Sequence, residues 1–149
     1  MKITICGSIA FFGEMLSAKQ KLEAMGHEVK LPPTEVPGKD GKMISVQEYY
    51  KIRKAVPETE AWVWDRKEES IMAHFRKIEW SDCILVLNHE KKGIPGYIGA
   101  NTLMEMGLAL WLGKKIFLLN QVPAIDSKEE ILGMKPIVIN GDYGKLSLG

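Results

Sequence analysis

Apolar runs alternate with amphipathic segments along the chain, and this alternation predicts an α/β fold. The predicted strands are residues 2–6, 27–31, 83–87, 115–119 and 136–139. The run at 83–87, Cys-Ile-Leu-Val-Leu, contains no polar residue. Such a run is typical of a central strand in a parallel sheet that is covered on both faces.

The segments between these strands predict helices. Apolar positions at Ile71, Phe75 and Ile78 have the spacing of one buried helix face. Two Ser-x-x-Glu sequences, at Ser45 and Ser127, have the form of capping boxes at helix starts. The predicted helices are residues 13–25, 45–54, a long helix that starts between 59 and 65 and ends at 80, residues 103–112, and a short helix after 127. Residues 32–45 are predicted to be irregular, with a turn at 38–41.

Five strands in this rhythm fit a doubly wound parallel sheet with the order 2-1-3-4-5, built as a single domain over residues 1–149. In such sheets the ligand lies beyond the carboxyl ends of the strands, where the strand order reverses. The rule selects three loops for function, those after Cys6, Leu87 and Leu119.

Composition and charge exclude several kinds of protein. The 149 residues carry a formal net charge of +1, with both signs mixed along the chain, so neither a nucleic acid polymer nor a membrane surface is an expected partner. No apolar run approaches the roughly 18 residues of a membrane span, and the apolar start is too short for a signal peptide. We therefore expect a cytoplasmic protein.

No metal or cofactor is predicted. The two cysteines form no Cys-x-x-Cys pair, and the three histidines share no ligand spacing with one another or with the cysteines. Cys6 and Cys83 both lie in predicted core strands, where a small buried hydrophobic role is expected.

The loop after the first strand reads Cys6-Gly7-Ser8-Ile9. It is neither a Walker A loop nor a Gly-x-Gly-x-x-Gly sequence. Glycine and serine between a strand and a helix can offer N–H groups and a hydroxyl to an anion. From these residues alone, a plain turn capped by Ser8 is the favoured interpretation.

The loop after the third strand contains Gly93, Gly96 and Gly99, and the helix that follows is expected to carry Glu105 in its first turn. This position would place a carboxylate at the edge of the ligand crevice. Thr102-x-x-Glu105 is also a capping-box sequence, so a structural role for Glu105 stays open. Gly107 lies inside the helix, where glycine usually has a packing reason.

Three segments between Lys2 and Leu119 resemble the nucleoside 2-deoxyribosyltransferase superfamily, including its 2′-deoxynucleoside 5′-monophosphate N-glycosidase branch. The first is the Cys6-Gly7-Ser8-Ile9 loop, and the second is Ile78-x-x-x-Asp82 with the strand after it. The third is Glu105-Met106-Gly107-Leu108-Ala109 followed by Gly113-Lys114-Lys115-Ile116.

The resemblance implies a function for each matching position. Glu105 matches the family's nucleophile, which attacks the anomeric carbon of the sugar. The loop of Cys6, Gly7, Ser8 and Ile9 matches the segment that meets the sugar and the 5′-phosphate. The resemblance further implies a homodimer or higher homo-oligomer.

The chain departs from the family at three positions. His74 aligns with an aspartate that assists the leaving base, and histidine can also donate a proton near neutral pH. Gly99 stands where an aspartate or serine grips the sugar or phosphate, and Asn101 is close enough in sequence to substitute. Thr4 stands where the family often has tyrosine.

The leading hypothesis is an enzyme that cleaves or exchanges the N-glycosidic bond of a nucleoside or a nucleoside 5′-monophosphate. The alternative is a module that binds a nucleotide without chemistry, for which the three departures argue. A phosphoribohydrolase of the lysine-decarboxylase-like group is disfavoured, since its Pro-Gly-Gly-x-Gly-Thr sequence is missing.

Two finer expectations follow. The Gly7-Ser8 turn and the missing carboxylate at Gly99 favour a 5′-monophosphate over the free nucleoside, although Ala10 means that no arginine follows the loop to pair with the phosphate. An exposed aromatic patch is expected at an oligomer interface. Its predicted members are Tyr49, Tyr50, Trp62 and Trp64.

Overall fold

The computed structural model describes all residues from Met1 to Gly149. In chain order the elements are β1 (Lys2–Cys6), α1 (Phe12–Ala24), β2 (Glu28–Lys30), β3 (Glu35–Pro37), β4 (Met43–Ser45), α2 (Val46–Ala55), α3 (Ala61–Trp80), β5 (Cys83–Val86), α4 (Ala100–Trp111), β6 (Lys115–Leu118), α5 (Lys128–Gly133) and β7 (Ile137–Val138). Two short 3-10 turns add Ile9–Phe11 and Tyr143–Lys145.

The contacts within the chain divide it into two compact units. The first unit contains Met1–Leu31 and Lys77–Gly149, and the second contains Pro32–Arg76. The helix α3 begins in the second unit and ends in the first. That residues 1–149 act as one domain stays a prediction.

The first unit is built on a five-stranded parallel sheet with the order β2-β1-β5-β6-β7. The α/β class and the five parallel strands are therefore confirmed. The sequence prediction numbered five strands, whereas the structure has seven, because β3 and β4 form a separate antiparallel pair.

The core of the first unit lies on the strands predicted to be most apolar. All four residues of β5 are fully buried, and so are Ile3 and Ile5 of β1. Met15 and Leu22 of α1 pack into the same cluster, together with Phe117 of β6. Removing this apolar surface from water is the main favourable term in the folding of the unit.

The end of α3 is fixed to the sheet by two polar side chains. The buried hydroxyl of Thr4 donates to the carbonyl of Lys77 at 2.7 Å. Lys114 donates to the carbonyl of Ser81, just beyond the helix. A cation at this position satisfies carbonyls that the helix itself leaves without partners.

The prediction that residues 32–45 are irregular is wrong, because this part of the second unit contains two strands. Its strands β3 and β4 have three residues each, and Pro37 in β3 hides the strand pattern in the sequence. The predicted turn is present, with Gly41 N donating to Gly38 O at 3.0 Å. The capping prediction for α2 is confirmed, since Ser45 Oγ accepts from Glu48 N at 3.1 Å.

The predicted aromatic patch is only partly exposed. Tyr49 is 4 % exposed, and its hydroxyl donates to the carbonyl of Val63. Tyr50 and Trp64 are 40 % and 39 % exposed. The prediction that Tyr49 belongs to an exposed patch is therefore wrong, because its ring and hydroxyl serve the core of the second unit.

Two details of the helices also differ from prediction. The helix α4 begins at Ala100, three residues before the expected start, and Ser127 makes no side-chain capping bond at α5. None of the helices combines the length and the apolar character that crossing a lipid bilayer demands.

Candidate active site

The central strands β1 and β5 are neighbours and end at the same edge of the sheet, with Cys6 paired to Val86. The three loops selected from the sequence, after Cys6, Leu87 and Leu119, follow the parallel neighbours β1, β5 and β6 at this edge. The strand order of the sheet therefore puts the predicted loops at one edge.

Glu105 lies in the second turn of α4 rather than the first. Gly99 is the residue that precedes the helix, no side chain caps this end, and the first turn contains no acidic residue. The capping-box interpretation of Thr102 and Glu105 is therefore wrong. Glu105 is 6 % exposed, so its carboxylate is held inside the protein without serving the helix end.

The carboxylate of Glu105 lies against the thiol of Cys6. The Cys6 sulfur and a Glu105 carboxylate oxygen are within 4.8 Å, and a side-chain hydrogen bond joins the two residues. Burial raises the pKa of the Cys6 thiol well above its ordinary value, and the charge of Glu105 raises it further. The thiol therefore stays protonated and donates to the carboxylate.

Gly7 brings the turn after β1 into close contact with the end of β5. Its φ of +153° is rarely adopted by residues with a side chain. An added Cβ would lie 3.0 Å from the Leu87 carbonyl oxygen and 3.1 Å from the Met15 methyl carbon. This position therefore requires glycine for packing, whatever it also does for a ligand.

Ser8 caps the turn that follows, as the structural interpretation expected. Its Oγ accepts from Ala10 N at 3.3 Å, and Ile9 begins the 3-10 turn. This turn leads directly into α1, which starts at Phe12, one residue before the predicted start. That the helix start favours an anion at Gly7-Ser8 stays a prediction.

Lys91, which no sequence pattern singled out, brings a cation to this turn. Lys91 Nζ donates to Ser8 Oγ at 2.7 Å, and the ammonium lies 5.2 Å from the centre of the Tyr97 ring. Lys91 and Ser8 are far apart in sequence, and they come together because the strands that precede them, β5 and β1, are neighbours in the sheet.

The ring of Tyr97 lies so close to Gly99 that a side chain at this position would have little room. A Cβ at Gly99 would lie 3.3 Å from the Tyr97 hydroxyl oxygen. The Tyr97 phenol thus takes up the space beside Gly99 into which a side chain would extend. Asn101 is exposed in the first turn of α4.

One buried amide fixes the loops after β5 and β6. Asn88 Nδ2 donates to the carbonyls of Asn120 at 3.1 Å and Gln121 at 3.0 Å, and Oδ1 accepts from Asn120 N at 2.8 Å. Gly96 has a φ of +71°, and a Cβ there would collide with the Gln121 carbonyl oxygen. These loops also border a cleft of about 480 Å³ that contains neither Glu105 nor Ser8.

The remaining predicted positions have other surroundings. The hydroxyl of Thr4 is directed to the Lys77 carbonyl, so this residue supports α3 rather than the crevice. His74 lies on α3 in the second unit and is 3 % exposed. Gly107 faces open space, since a Cβ would meet nothing within 4 Å, and the expected packing reason is missing.

Comparisons with known proteins give loose structural likenesses. No family model matches the chain, and no curated protein sequence does. A 2-deoxyribosyltransferase from Bacillus psychrosaccharolyticus is similar over 79 % of this chain and 71 % of its own, at 18 % identity and a TM-score of 0.49. The CMP N-glycosidase BcmB from Clostridium botulinum is similar over 93 % of this chain and 85 % of its own, at 17 % identity and a TM-score of 0.47.

A third structure has a different activity. The flavoenzyme NAD(P)H:acceptor oxidoreductase FerB from Paracoccus denitrificans is similar over 93 % of this chain and 74 % of its own, at 14 % identity and a TM-score of 0.46. The function proposed below therefore rests on the residues of the site.

Proposed function

We propose that this protein cleaves or exchanges the N-glycosidic bond of a nucleoside or a nucleoside 5′-monophosphate, with Glu105 as the nucleophile. The observation that carries the proposal is the position of Glu105: a buried carboxylate at the carboxyl edge of the sheet that caps no helix. Burying a charged group is costly, and groups held in such surroundings cluster at functional sites, so a buried carboxylate at this edge is a candidate for chemistry.

The reaction has two steps. The Glu105 carboxylate attacks the anomeric carbon while the carbon–nitrogen bond to the base breaks, which leaves a glycosyl ester on the enzyme. Water or a second base then attacks the same carbon, and the ester bond breaks. The sugar carries partial positive charge in both transition states, and a nearby carboxylate stabilises that charge.

His74 keeps the role that the resemblance gives it, donating the proton that the departing base takes up. Imidazolium is a suitable acid for this step near neutral pH. The turn of Cys6, Gly7, Ser8 and Ile9, with Asn101 at the start of α4, is proposed to hold the sugar and its 5′-substituent.

One contact favours the alternative, a module that binds a nucleotide without chemistry. The thiol of Cys6 donates to the Glu105 carboxylate, and a hydrogen bond to a carboxylate makes it a weaker nucleophile. Under this alternative, ligands bind at the same edge and no base is released.

The test is incubation with the common ribo- and 2′-deoxyribonucleosides and their 5′-monophosphates, with and without a second base, and chromatography of the free bases. The wild type is expected to release or exchange a base. Glu105→Gln keeps the shape of the side chain and removes its charge, so its rate should fall by several orders of magnitude, about as seen for other lost nucleophiles.

The matched control is Glu130→Gln, which makes the same change at an exposed position of α5. Its rate should equal that of the wild type, and both variants should melt within a few degrees of it. Binding of a nucleotide with no base released under any condition would support the alternative instead. A Glu105→Gln protein with normal turnover would remove Glu105 from the chemistry.

A further inference from the structure

We propose that Lys91 is the residue that recognises the 5′-phosphate of the substrate, together with the hydroxyl of Ser8. This inference rests on the proposed function and narrows its substrate class to nucleoside 5′-monophosphates. It also supplies the cation that the sequence lacks at Ala10, since the loop after β5 brings it to the turn after β1.

The hydrogen bonds of the pair leave donors available for an anion. Ser8 Oγ accepts from Lys91 Nζ at 2.7 Å and from Ala10 N at 3.3 Å. A hydroxyl has two lone pairs and one proton, so both acceptor positions are used and the proton is left to donate. An ammonium has three protons, of which one points to Ser8. The pair therefore presents donors only, which suits a phosphate and excludes a second cation.

The charge of Lys91 is not neutralised within the protein. Lys91 takes part in no ion pair, unlike Lys19, Lys39 and Arg66, which pair with Glu23, Glu60 and Glu69. Lys91 is half-buried and lies over the Tyr97 ring, and the next residue, Lys92, lies 6.0 Å from the centre of the same ring. The adjacent Glu90 is exposed and borders the separate cleft. A half-buried ammonium without a carboxylate favours an anionic ligand.

The turn that carries Lys91 holds it in place before a ligand arrives. Lys91 N donates to Ile94 O at 3.2 Å, and Ile94 N donates to Lys91 O at 2.9 Å. The two residues between them, Lys92 and Gly93, have φ values of 53° and 73°, as a tight type I′ turn requires. A lysine fixed at its backbone and over a ring loses less entropy on binding than a free one.

The spacing from the candidate nucleophile suits a nucleotide. Ser8 follows Cys6 by two residues, which is at most about 7 Å of extended chain, and Cys6 contacts Glu105. The anomeric carbon and the 5′-phosphate lie at opposite ends of one sugar unit, a separation of similar size. A sugar with its anomeric carbon at Glu105 is therefore proposed to extend its 5′ end toward Ser8 and Lys91.

The experiment measures binding separately from turnover. Calorimetric titration at low ionic strength compares the four 2′-deoxynucleoside 5′-monophosphates, the four matching nucleosides and inorganic phosphate. Titrations are made in the Glu105→Gln background, in which the proposed mechanism cannot consume the ligand. Lys91→Met should weaken monophosphate and phosphate binding about 10- to 100-fold and leave nucleoside binding within about twofold.

Two further variants separate charge from structure. Lys92→Asn removes the neighbouring charge and keeps the turn, since asparagine tolerates positive φ, so phosphate binding should stay within about threefold of the parent protein. Lys91→Arg should restore most of the affinity that Lys91→Met loses. Circular dichroism checks folding, and Lys91→Gln replaces Lys91→Met if the latter does not fold.

The inference is overturned if monophosphates bind no better than nucleosides, or if Lys91→Met weakens both classes equally. Its failure is distinguishable from failure of the proposed function. Base release without any dependence on the 5′-phosphate would reject Lys91 and keep the glycosidase chemistry. If Lys91→Met selectively loses phosphate binding while the wild type releases no base, Lys91 is kept as the phosphate-binding residue and the glycosidase chemistry is rejected.

Discussion

The thiol of Cys6 donates a hydrogen bond to the carboxylate of Glu105, and so joins the last residue of β1 to the second turn of α4. Because burial and the Glu105 charge both raise the pKa of Cys6, the sulfur is not available as a thiolate. The sulfur therefore acts as a hydrogen-bond donor to the carboxylate rather than as a nucleophile.

The thiol of Cys83 makes the free energy of unfolding depend on pH in the alkaline range. Burial raises the pKa of Cys83 from 9.0 to about 11, with Asp82 adding to the rise. A raised pKa contributes stability that is complete below pH 9 and is lost as the pH rises through about 11. The contribution is about 2 to 3 kcal/mol by the size of the shift.

Urea unfolding between pH 8 and pH 11 measures this effect. The free energy of unfolding of the wild type should fall faster with pH than that of Cys83→Ala, which has no thiol to ionise. Parallel curves for the two proteins would show that Cys83 titrates alike in the folded and unfolded chains.

Replacing His74 with asparagine should slow base release by about 10²- to 10⁴-fold, the usual contribution of a general acid. The loss should shrink for a substrate whose base leaves easily without a proton, because the acid is then not needed. Steady-state rates on a series of substrates with different leaving bases measure this. His27→Asn is the control, and an equal loss across the series would give His74 a purely structural role.

Glycine at position 107 should be replaceable with a gain in stability. A Cβ there meets nothing within 4 Å, and alanine is favoured over glycine in a helix by about 1 kcal/mol. Thermal unfolding of Gly107→Ala should therefore show a higher midpoint than the wild type. Gly96→Ala is the opposing case and should be strongly destabilised, because its Cβ would collide with the Gln121 carbonyl oxygen.

The homo-oligomer predicted from the sequence can be tested at α4 rather than at Tyr49. Trp111 is 86 % exposed, and Met104, Gly107 and Leu108 share its helix face at the spacing of one stripe. Trp111→Glu should convert an oligomer to a monomer, as measured by light scattering at micromolar concentration. Leu16→Glu, at an exposed position of α1 outside both candidate interfaces, serves as control. A wild type that is already monomeric would contradict the prediction.

The strands were predictable because burial on both faces leaves an almost unbroken apolar run, as in β5. The three-residue strands β3 and β4 were not, since a single buried Val36 between exposed Glu35 and half-buried Pro37 gives no periodicity to detect. Short strands depend on pairing with each other, which a local pattern does not record.

The candidate site shows the same division. Glu105 and the Cys6-Gly7-Ser8 turn could be found from strand ends and motif spacing. Lys91 could not, because its significance lies in a contact with Ser8 that spans most of the chain. The start of α4 was misplaced because a good capping sequence, Thr102-x-x-Glu105, lies inside the helix, which begins with no side-chain cap at Gly99.

The Asn88 amide has a consequence for motion at this edge of the sheet. Surface loops usually open independently, each with a small free energy. Here the backbone amides of Asn120 and Tyr97 are held through Asn88 and its neighbour His89, so the loops after β5 and β6 share their attachments. Their amide protons are expected to exchange with solvent deuterium together, as one cooperative segment.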